Sequence, residues 1–347
     1  MDKVDITNLS LSQLSEFLVN LGLPKYRATQ IFAWLYRPHI RDFSQMTDLS
    51  KELREQLAAQ MVFDWPQIAA IERSKDGTVK YGFKLKDDSF VEAVLIPEET
   101  RSTLCVSSQA GCAMGCEFCL TGGLGFKRNL MPGEIIGQVV RVRDWIHDMD
   151  DPIPALNNLV FMGMGEPLAN FDNLLIALDI LTEQRGLDFS ERRITVSTCG
   201  LVPKIIELGE KTKVNLAVSL HSVDDSVRSQ LMPINKKYPV AELLEACRKF
   251  PMPKRKRIMF EYILIQGVND SLADAEMLAE KLKGIPCKIN LLQFNESGEV
   301  DFKRSSDEQI EQFQQTLWDA GYTVLVRSSR GGDISAACGQ LAGKENF

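Results

Sequence analysis

Histidine is scarce in this chain: His39, His147 and His221 are the only three in 347 residues. Eight cysteines occur, but no pair of C-x2-C knuckles and no adjacent histidines, which argues against the usual four-ligand structural zinc site. No stretch approaches the roughly 18 consecutive apolar residues of a membrane span. The opening MDKVDITNLSLSQLSEF lacks the apolar centre of a secretory leader. The expected compartment is therefore the cytoplasm, where stable disulfides are uncommon and clustered cysteines serve metals or catalysis. Excess positive charge is also missing. A net charge of −7 argues against non-specific coating of nucleic acid, yet leaves room for local basic groups. Such groups stand at Lys127–Arg128, Arg192–Arg193, Lys236–Lys237 and in the run KRKR from Lys254 to Arg257.

What is present is an ordinary globular balance, 44% hydrophobic and 25% charged, in a chain long enough for one main domain and a smaller one. The stretch LSQLSEFLVNLGLPKYRATQIFAWLY predicts two helices joined by a turn at Gly22 and Pro24. A third follows in DLSKELREQLAAQMVF, capped by Asp48 or Ser50. From Pro66 the pattern alternates, with turn signals at Asp76–Gly77 and Asp87–Asp88, predicting a small antiparallel meander. Beyond Ser102, short apolar runs (TLCVSS, NNLVFMG, RITVSTCG, VNLAVSLH, RIMFEYILI, KINLLQF, TVLVRS) alternate with helical stretches. That rhythm predicts an α/β fold with a parallel sheet, as a full or partial barrel carrying its site at the C-terminal strand ends. The expected divisions are a helical accessory unit (1–64), a β-hairpin or meander region (65–100) and the barrel (101–347). The cysteine run and the segments GMGEP, STCG, SLHS and FNE each follow a predicted strand.

The segment CVSSQAGCAMGCEFC holds four cysteines: Cys105, then Cys112, Cys116 and Cys119 in a C-x3-C-x2-C run. Three thiols on a glycine-rich loop are hard to explain as packing. They suit an iron–sulfur cube in which one iron keeps an open position, a catalytic rather than an electron-relay feature. With Phe118 before the last cysteine and MGMGEP after the next strand, the chain resembles the radical S-adenosylmethionine superfamily. The resemblance implies a 4Fe–4S cluster on Cys112, Cys116 and Cys119, with S-adenosylmethionine on the open iron. One electron then yields a 5′-deoxyadenosyl radical. Gly163 and Gly165 would let the methionine moiety approach, and Glu166 would accept from its ammonium.

The motifs TLCVSSQAGCAMGCEFC, MGMGEPLAN, VSLHS, LMPINKKYP, EYILIQGVND, CKINLLQFNE and AACGQLAG occur in order and are similar to those of the RlmN family. That family methylates C2 of an adenosine in 23S rRNA, and some members also act on tRNA. C2 is an amidine carbon, too electron-poor to attack a sulfonium. The resemblance implies two molecules of S-adenosylmethionine per turnover: one methylates Cys338, and the second generates the radical that activates the S-methyl group. Cys105 is then the resolving thiol that releases the product, with Cys338 as its disulfide partner, and Glu92 the general base for the C2 proton. Ser197, Ser219, Leu220, His221 and Asn295 fall on cofactor positions. It further implies 23S rRNA and tRNA as partners, flavodoxin or ferredoxin as electron donor, no membrane and a monomer. Lys25, Arg27, Arg37 and Arg41 are candidate RNA contacts in the N-terminal unit. Cys199 stands where the family more often has serine, and Cys247 and Cys287 read as structural. Three alternatives stay open: a C8-specific relative with the same cysteines, a glycyl-radical activator without need of Cys105 and Cys338, and an RNA-binding scaffold with a closed cluster.

Overall fold

The computed structural model describes residues 3–150, 153–253, 256–296 and 300–342, and its layers follow the punctuation of the sequence. In the N-terminal unit β1 (Val4–Asp5) pairs in parallel with β2 (Met61–Val62). Between them lie α1 (Leu11–Asn20), α2 (Tyr26–Leu35) and α3 (Lys51–Gln60). A capping box starts α1: Ser10 Oγ accepts from Gln13 N–H, and Gln13 Oε1 accepts from Ser10 N–H at 2.9 Å. Gly22, at φ +78°, turns the chain toward α2. Of the two candidate caps for α3, Ser50 takes the role, accepting from Leu53 N–H at 3.3 Å. Asp48 instead receives the Trp34 indole N–H. Leu14, Leu18, Ile31, Phe32 and Leu35 form the buried face.

The meander comprises β3 (Gln67–Arg73), β4 (Val79–Lys84) and β5 (Phe90–Pro97). It is continuous with the main sheet, because β5 pairs antiparallel with β6 (Ser102–Cys105). After β6, the ribbon of β7 (Gln109–Gly111) and β8 (Phe126–Asn129) brackets the short helix α4 (Leu120–Gly123). Then come α5 (Pro132–His147), β9 (Leu156–Phe161), α6 (Phe171–Thr182), β10 (Ile194–Thr198), α7 (Val202–Lys211) and β11 (Asn215–Ser219). The chain continues through α8 (Asp225–Leu231), α9 (Val240–Lys249), β12 (Ile258–Leu264), α10 (Leu272–Lys281), β13 (Cys287–Gln293), α11 (Asp307–Asp319) and β14 (Val324–Arg327).

Apart from β7 and β8, which form a separate two-stranded ribbon, the strands from β3 onward make one ten-stranded sheet in the order β14-β13-β12-β11-β10-β9-β6-β5-β4-β3. Every pair from β6 to β14 is parallel. Among the described residues β14 and β3 are its edges, so the partial form of the barrel is the one observed. β10 is buried along its whole length and β12 nearly so, as expected for strands covered on both faces. Cys247 on α9 and Cys287 on β13 are buried. No described helix is long and apolar enough to cross a membrane.

The N-terminal unit lies along α5. A Cβ on Gly133 would meet Thr7 Oγ1 at 2.1 Å, and one on Gly137 would meet Pro66 Cδ at 2.2 Å. Gly133 N–H donates to Asn8 Oδ1 at 2.8 Å. Three turns along the same helix, Asp144 accepts from His39 N–H at 3.0 Å and pairs with Arg41. Arg41 is thus engaged in this seam rather than offered to RNA. Arg37 stacks 3.9 Å over Trp34, with its charge on the surface, while Lys25 is exposed and Arg27 half-buried. Arg128 is taken by Asp87 and Glu134, and in the KRKR run Lys254 and Arg255 lie outside the described residues.

The seam yields a direct expectation. Gly137→Ala forces Pro66 away and costs about 1–3 kcal/mol by overpacking, read as a lowered denaturation midpoint. Gly332→Ala, where a Cβ meets nothing within 4 Å, leaves the midpoint unchanged.

Candidate functional site

The cluster loop is shaped by glycines and backbone bonds. Gly111, at φ +74°, lies so close to Gly125 that a Cβ would fall 1.9 Å from its carbonyl oxygen. Cys112 N–H donates to that oxygen at 3.0 Å, and Cys119 N–H to Cys116 O at 3.1 Å. Cys112, Cys116 and Cys119 are all half-buried. Burial pushes the Cys112 thiol up to about 11, helped by Cys119 and Glu166. Burial also raises Cys116, with Cys119 and Cys112 adding to it. The neighbouring Cys119 thus makes deprotonation of Cys112 and Cys116 costlier, and a bound metal offsets that cost because thiolate ligands give up their protons to it. Such a set of three thiols, lacking a fourth cysteine ligand from the same loop, fits an iron–sulfur cluster with one iron open to an external ligand.

The far end of the chain closes over this loop. Leu120 N–H donates to Gly339 O at 2.8 Å, and Thr121 Oγ1 donates to Leu341 O at 2.6 Å. Gly339, at φ +83°, keeps only 3.0 Å between its would-be Cβ and Phe118 O. Asn295 Nδ2 donates to Cys338 O at 3.2 Å. Cys338 is thereby held beside the cluster loop. The enclosing protein, Glu261 and Cys119 together hold its thiol up at about 11. Cys105 ends β6, where burial and then the Cys338 thiol push it up to about 12. Both are free thiols.

Glu92 joins the same corner. Its strand β5 pairs Val94 with Cys105, so Glu92, two residues from Val94, shares a sheet face with Cys105. It is buried, whereas strand alternation alone would leave it at the surface. Its Oε2 accepts from Ala342 N–H at 2.8 Å, and Lys80 Nζ stands 3.7 Å from Oε1.

The strand-end residues carry more structural duty than their motifs suggest. Buried Glu166 accepts from Leu168 N–H at 3.0 Å and from Cys199 N–H at 2.8 Å, tying the end of β9 to the end of β10. Burial raises its carboxyl. A Cβ on Gly165 would strike Gln109 at 2.4 Å, and one on Gly163 would strike Ser107 and Val106 at 2.8 Å. The immediate demand for these glycines is thus the protein's own packing. His221 is buried and left-handed (φ +56°), and its Nδ1 accepts from Ile263 N–H at 3.0 Å. Burial and Arg228 drive its pKa down to about 3, so it is neutral with its proton on Nε2, and its ring packs edge-on to Phe118 at 4.8 Å. Ser197 and Leu220 are buried, Ser219 and Asn295 half-buried, and Cys199 buried.

Three residues were not found by reading the sequence. Arg228 on α8 is fully buried and donates to Leu220 O, Ser219 O, Cys199 O and Asn235 Oδ1 at 2.8–3.1 Å. It fixes the ends of β10 and β11 together, and an arginine inside the polar run DDSVRSQ gives no sign of it. Gln138 clamps Ser107 through both its N–H and C=O. Glu261 was visible: it is the one carboxylate in the apolar run IMFEYIL. Burial lifts it to about 7, against an Asn290 amide that donates to it at 2.9 Å.

The comparisons with known proteins agree with this geometry. The profile of the radical SAM superfamily matches residues 106–279, and that of the ribosomal RNA large subunit methyltransferase N-terminal domain matches residues 4–63. The crystal structure of a radical SAM methyltransferase from Sphaerobacter thermophilus superposes with a TM-score of 0.92 at 44% identity, covering 98% of this chain and 100% of that one. Fold and site thus define a radical SAM enzyme, a class that works with a 4Fe–4S cluster and S-adenosylmethionine. A protein of Desulfotalea psychrophila named dual-specificity RNA methyltransferase RlmN is 54% identical over 99% of this chain and 96% of its own length. A Geobacter sulfurreducens protein of the same name is 53% identical over 98% and 92%. The chain belongs to the RlmN family of radical SAM methyltransferases, and nothing in these similarities favours the C8-specific alternative.

Glu261 gives a pH expectation. Its carboxyl is raised from 4.5 to about 7 in the fold, so between those values the native state binds more protons than the unfolded one. Stability therefore falls as pH rises through this window. Glu261→Gln flattens that slope and is more stable than the parent at pH 8 in denaturant titrations.

Proposed function

We propose that this chain methylates C2 of an adenosine in 23S rRNA and in tRNA through a covalent cysteine intermediate. The observation that carries the reading is that the segment bearing Cys338 is tied both to the cluster loop and to Glu92, on the strand that pairs with Cys105. Two free thiols from opposite ends of the barrel sequence have no need of such a tie in a radical enzyme that lacks thiol chemistry.

Cys112, Cys116 and Cys119 hold the cluster, and Gly165, Glu166, Ser197, Ser219, Leu220, His221 and Asn295 line the place of S-adenosylmethionine, of which two molecules are used per turnover. When bound, cluster and cofactor supply one electron, a carbon-centred radical and the methyl group. Cys338 carries that group on sulfur and presents it to C2. The bonds from Asn295 to Cys338 O and from Leu120 to Gly339 O hold its backbone in place. Glu92 takes the C2 proton from the adduct; a carboxylate in a buried corner is a competent base for a carbon acid. The adduct would return its odd electron to the bound cluster, and Cys105 thiolate then attacks the Cys338 sulfur. The sulfur–carbon bond breaks, and its electron pair passes to the bridging methylene carbon, which takes up a proton to become the methyl group. The two thiols are left as a disulfide that a cellular dithiol must reduce. Neutral His221 and charged Arg228 act as fixed scaffolding.

RNA would be gripped by the N-terminal unit through Lys25, Arg27 and Arg37, those of its four candidate contacts that stay outside the α5 seam. We place the reaction in the cytoplasm, with a monomeric enzyme and a one-electron donor such as flavodoxin or ferredoxin.

Cys338→Ala should still cleave S-adenosylmethionine reductively but methylate no RNA. Nucleoside mass spectrometry of rRNA and tRNA treated with the parent enzyme should find 2-methyladenosine in both. Methylation by Cys338→Ala removes the thiol mechanism, and 8-methyladenosine as the product removes the C2 assignment.

A further inference from the structure

Two of the three histidines sit at the far end of the α5 seam, away from the barrel mouth. His39 lies on the loop after α2, His147 is the last residue of α5, and Asp148 is its C-cap. His39 Nε2 is 3.0 Å from Asp148 Oδ1 and 3.4 Å from His147 Nδ1, and His147 Nδ1 is 3.5 Å from Asp148 Oδ1. No other three histidine, cysteine or acidic side chains among the described residues bring their ligand atoms so close together.

We propose that His39, His147 and Asp148 form a binding site for a divalent transition metal of zinc type, which clamps the N-terminal unit to the barrel. Three observations support it. Zinc bonds of about 2.0–2.1 Å, set tetrahedrally, place ligand atoms about 3.3–3.4 Å apart. The three measured separations bracket that value, so the donors already outline one face of a tetrahedron. The donor chemistry, two imidazoles and one carboxylate, suits zinc rather than calcium or magnesium. The electrostatics point the same way: the sixteen-residue α5 directs its negative end at the site, and Asp148 adds its carboxylate there. The side chains are 44–62% exposed, which leaves the fourth position to water and the site open to metal from solution.

The placement gives the ion a mechanical role. His39 belongs to the N-terminal unit and holds a left-handed backbone (φ +60°), fixed by its N–H to Asp144 Oδ1. His147 and Asp148 belong to the barrel. A bound ion joins the two at the end of α5, one helix length from the glycine contacts at Gly133 and Gly137. It would set how firmly the N-terminal unit is fastened at the end that those glycines do not reach.

The test uses cluster-loaded enzyme, so that Cys112, Cys116 and Cys119 are occupied, with one equivalent of zinc chloride followed by desalting. Zinc K-edge absorption should report one zinc per chain with nitrogen and oxygen ligands only, and the thermal midpoint should rise with zinc. His147→Ala and His39→Gly, the latter chosen because glycine accepts the left-handed backbone, should keep full iron content. Each should lose the retained zinc and the shift in midpoint. The proposal fails if the parent retains no zinc, if zinc shows sulfur ligands near about 2.3 Å, or if both variants retain it undiminished.

Discussion

The catalytic corner depends on how a segment with little regular structure is tied to the cluster loop. Residues 336–342 are held by Leu120 N–H to Gly339 O, Thr121 Oγ1 to Leu341 O, Asn295 Nδ2 to Cys338 O and Ala342 N–H to Glu92 Oε2. Each such bond contributes about 0.5–1.5 kcal/mol net. Together they hold the segment by a few kcal/mol, which keeps Cys338 ordered beside the cluster loop. A helix in the same place would bring the thiol no closer and would resist the displacement that a resolving attack demands. Loops carrying reactive groups on a rigid sheet are the general solution to that conflict.

Glu92 shows how tightly the parts are coupled. One carboxylate oxygen anchors Ala342 and the other faces Lys80, so the residue proposed as base also helps hold down the segment bearing the reactive thiol. In the proposed mechanism, a proton taken up by Glu92 would weaken its grip on Ala342 N–H. Behind this corner, Arg228 and Gln138 fix strand ends through backbone groups.

The alternation of apolar runs and helices made the parallel sheet legible, because strands buried on both faces read as continuous apolar runs and only helices can connect them in parallel. The cysteine run was legible for a similar reason: its spacing is local, so the chemistry is written within eight residues. Long-range pairings were not. Cys338, Glu92 and Cys105 stand in unremarkable strings, and only the resemblance of several ordered motifs singled them out. Arg228 was invisible because its partners are carbonyl oxygens, which every sequence contains. The meander read as a separate region because nothing local in IPEETRS says that β5 will pair with β6. The glycines of MGMGEP and PGEIIGQ were visible, but not what presses on them: Gln109 and Ser107 in one case, Thr7 and Pro66 in the other.

The central claim is that Cys338 becomes covalently joined to the RNA and that Cys105 frees it. The most direct measurement is peptide mass spectrometry of a Cys105→Ala variant after reaction with its RNA substrate and S-adenosylmethionine. The account predicts a methylene-bridged adenosine on the peptide containing Cys338, with little free methylated product. Unmodified Cys338 together with normal release of methylated RNA would contradict it.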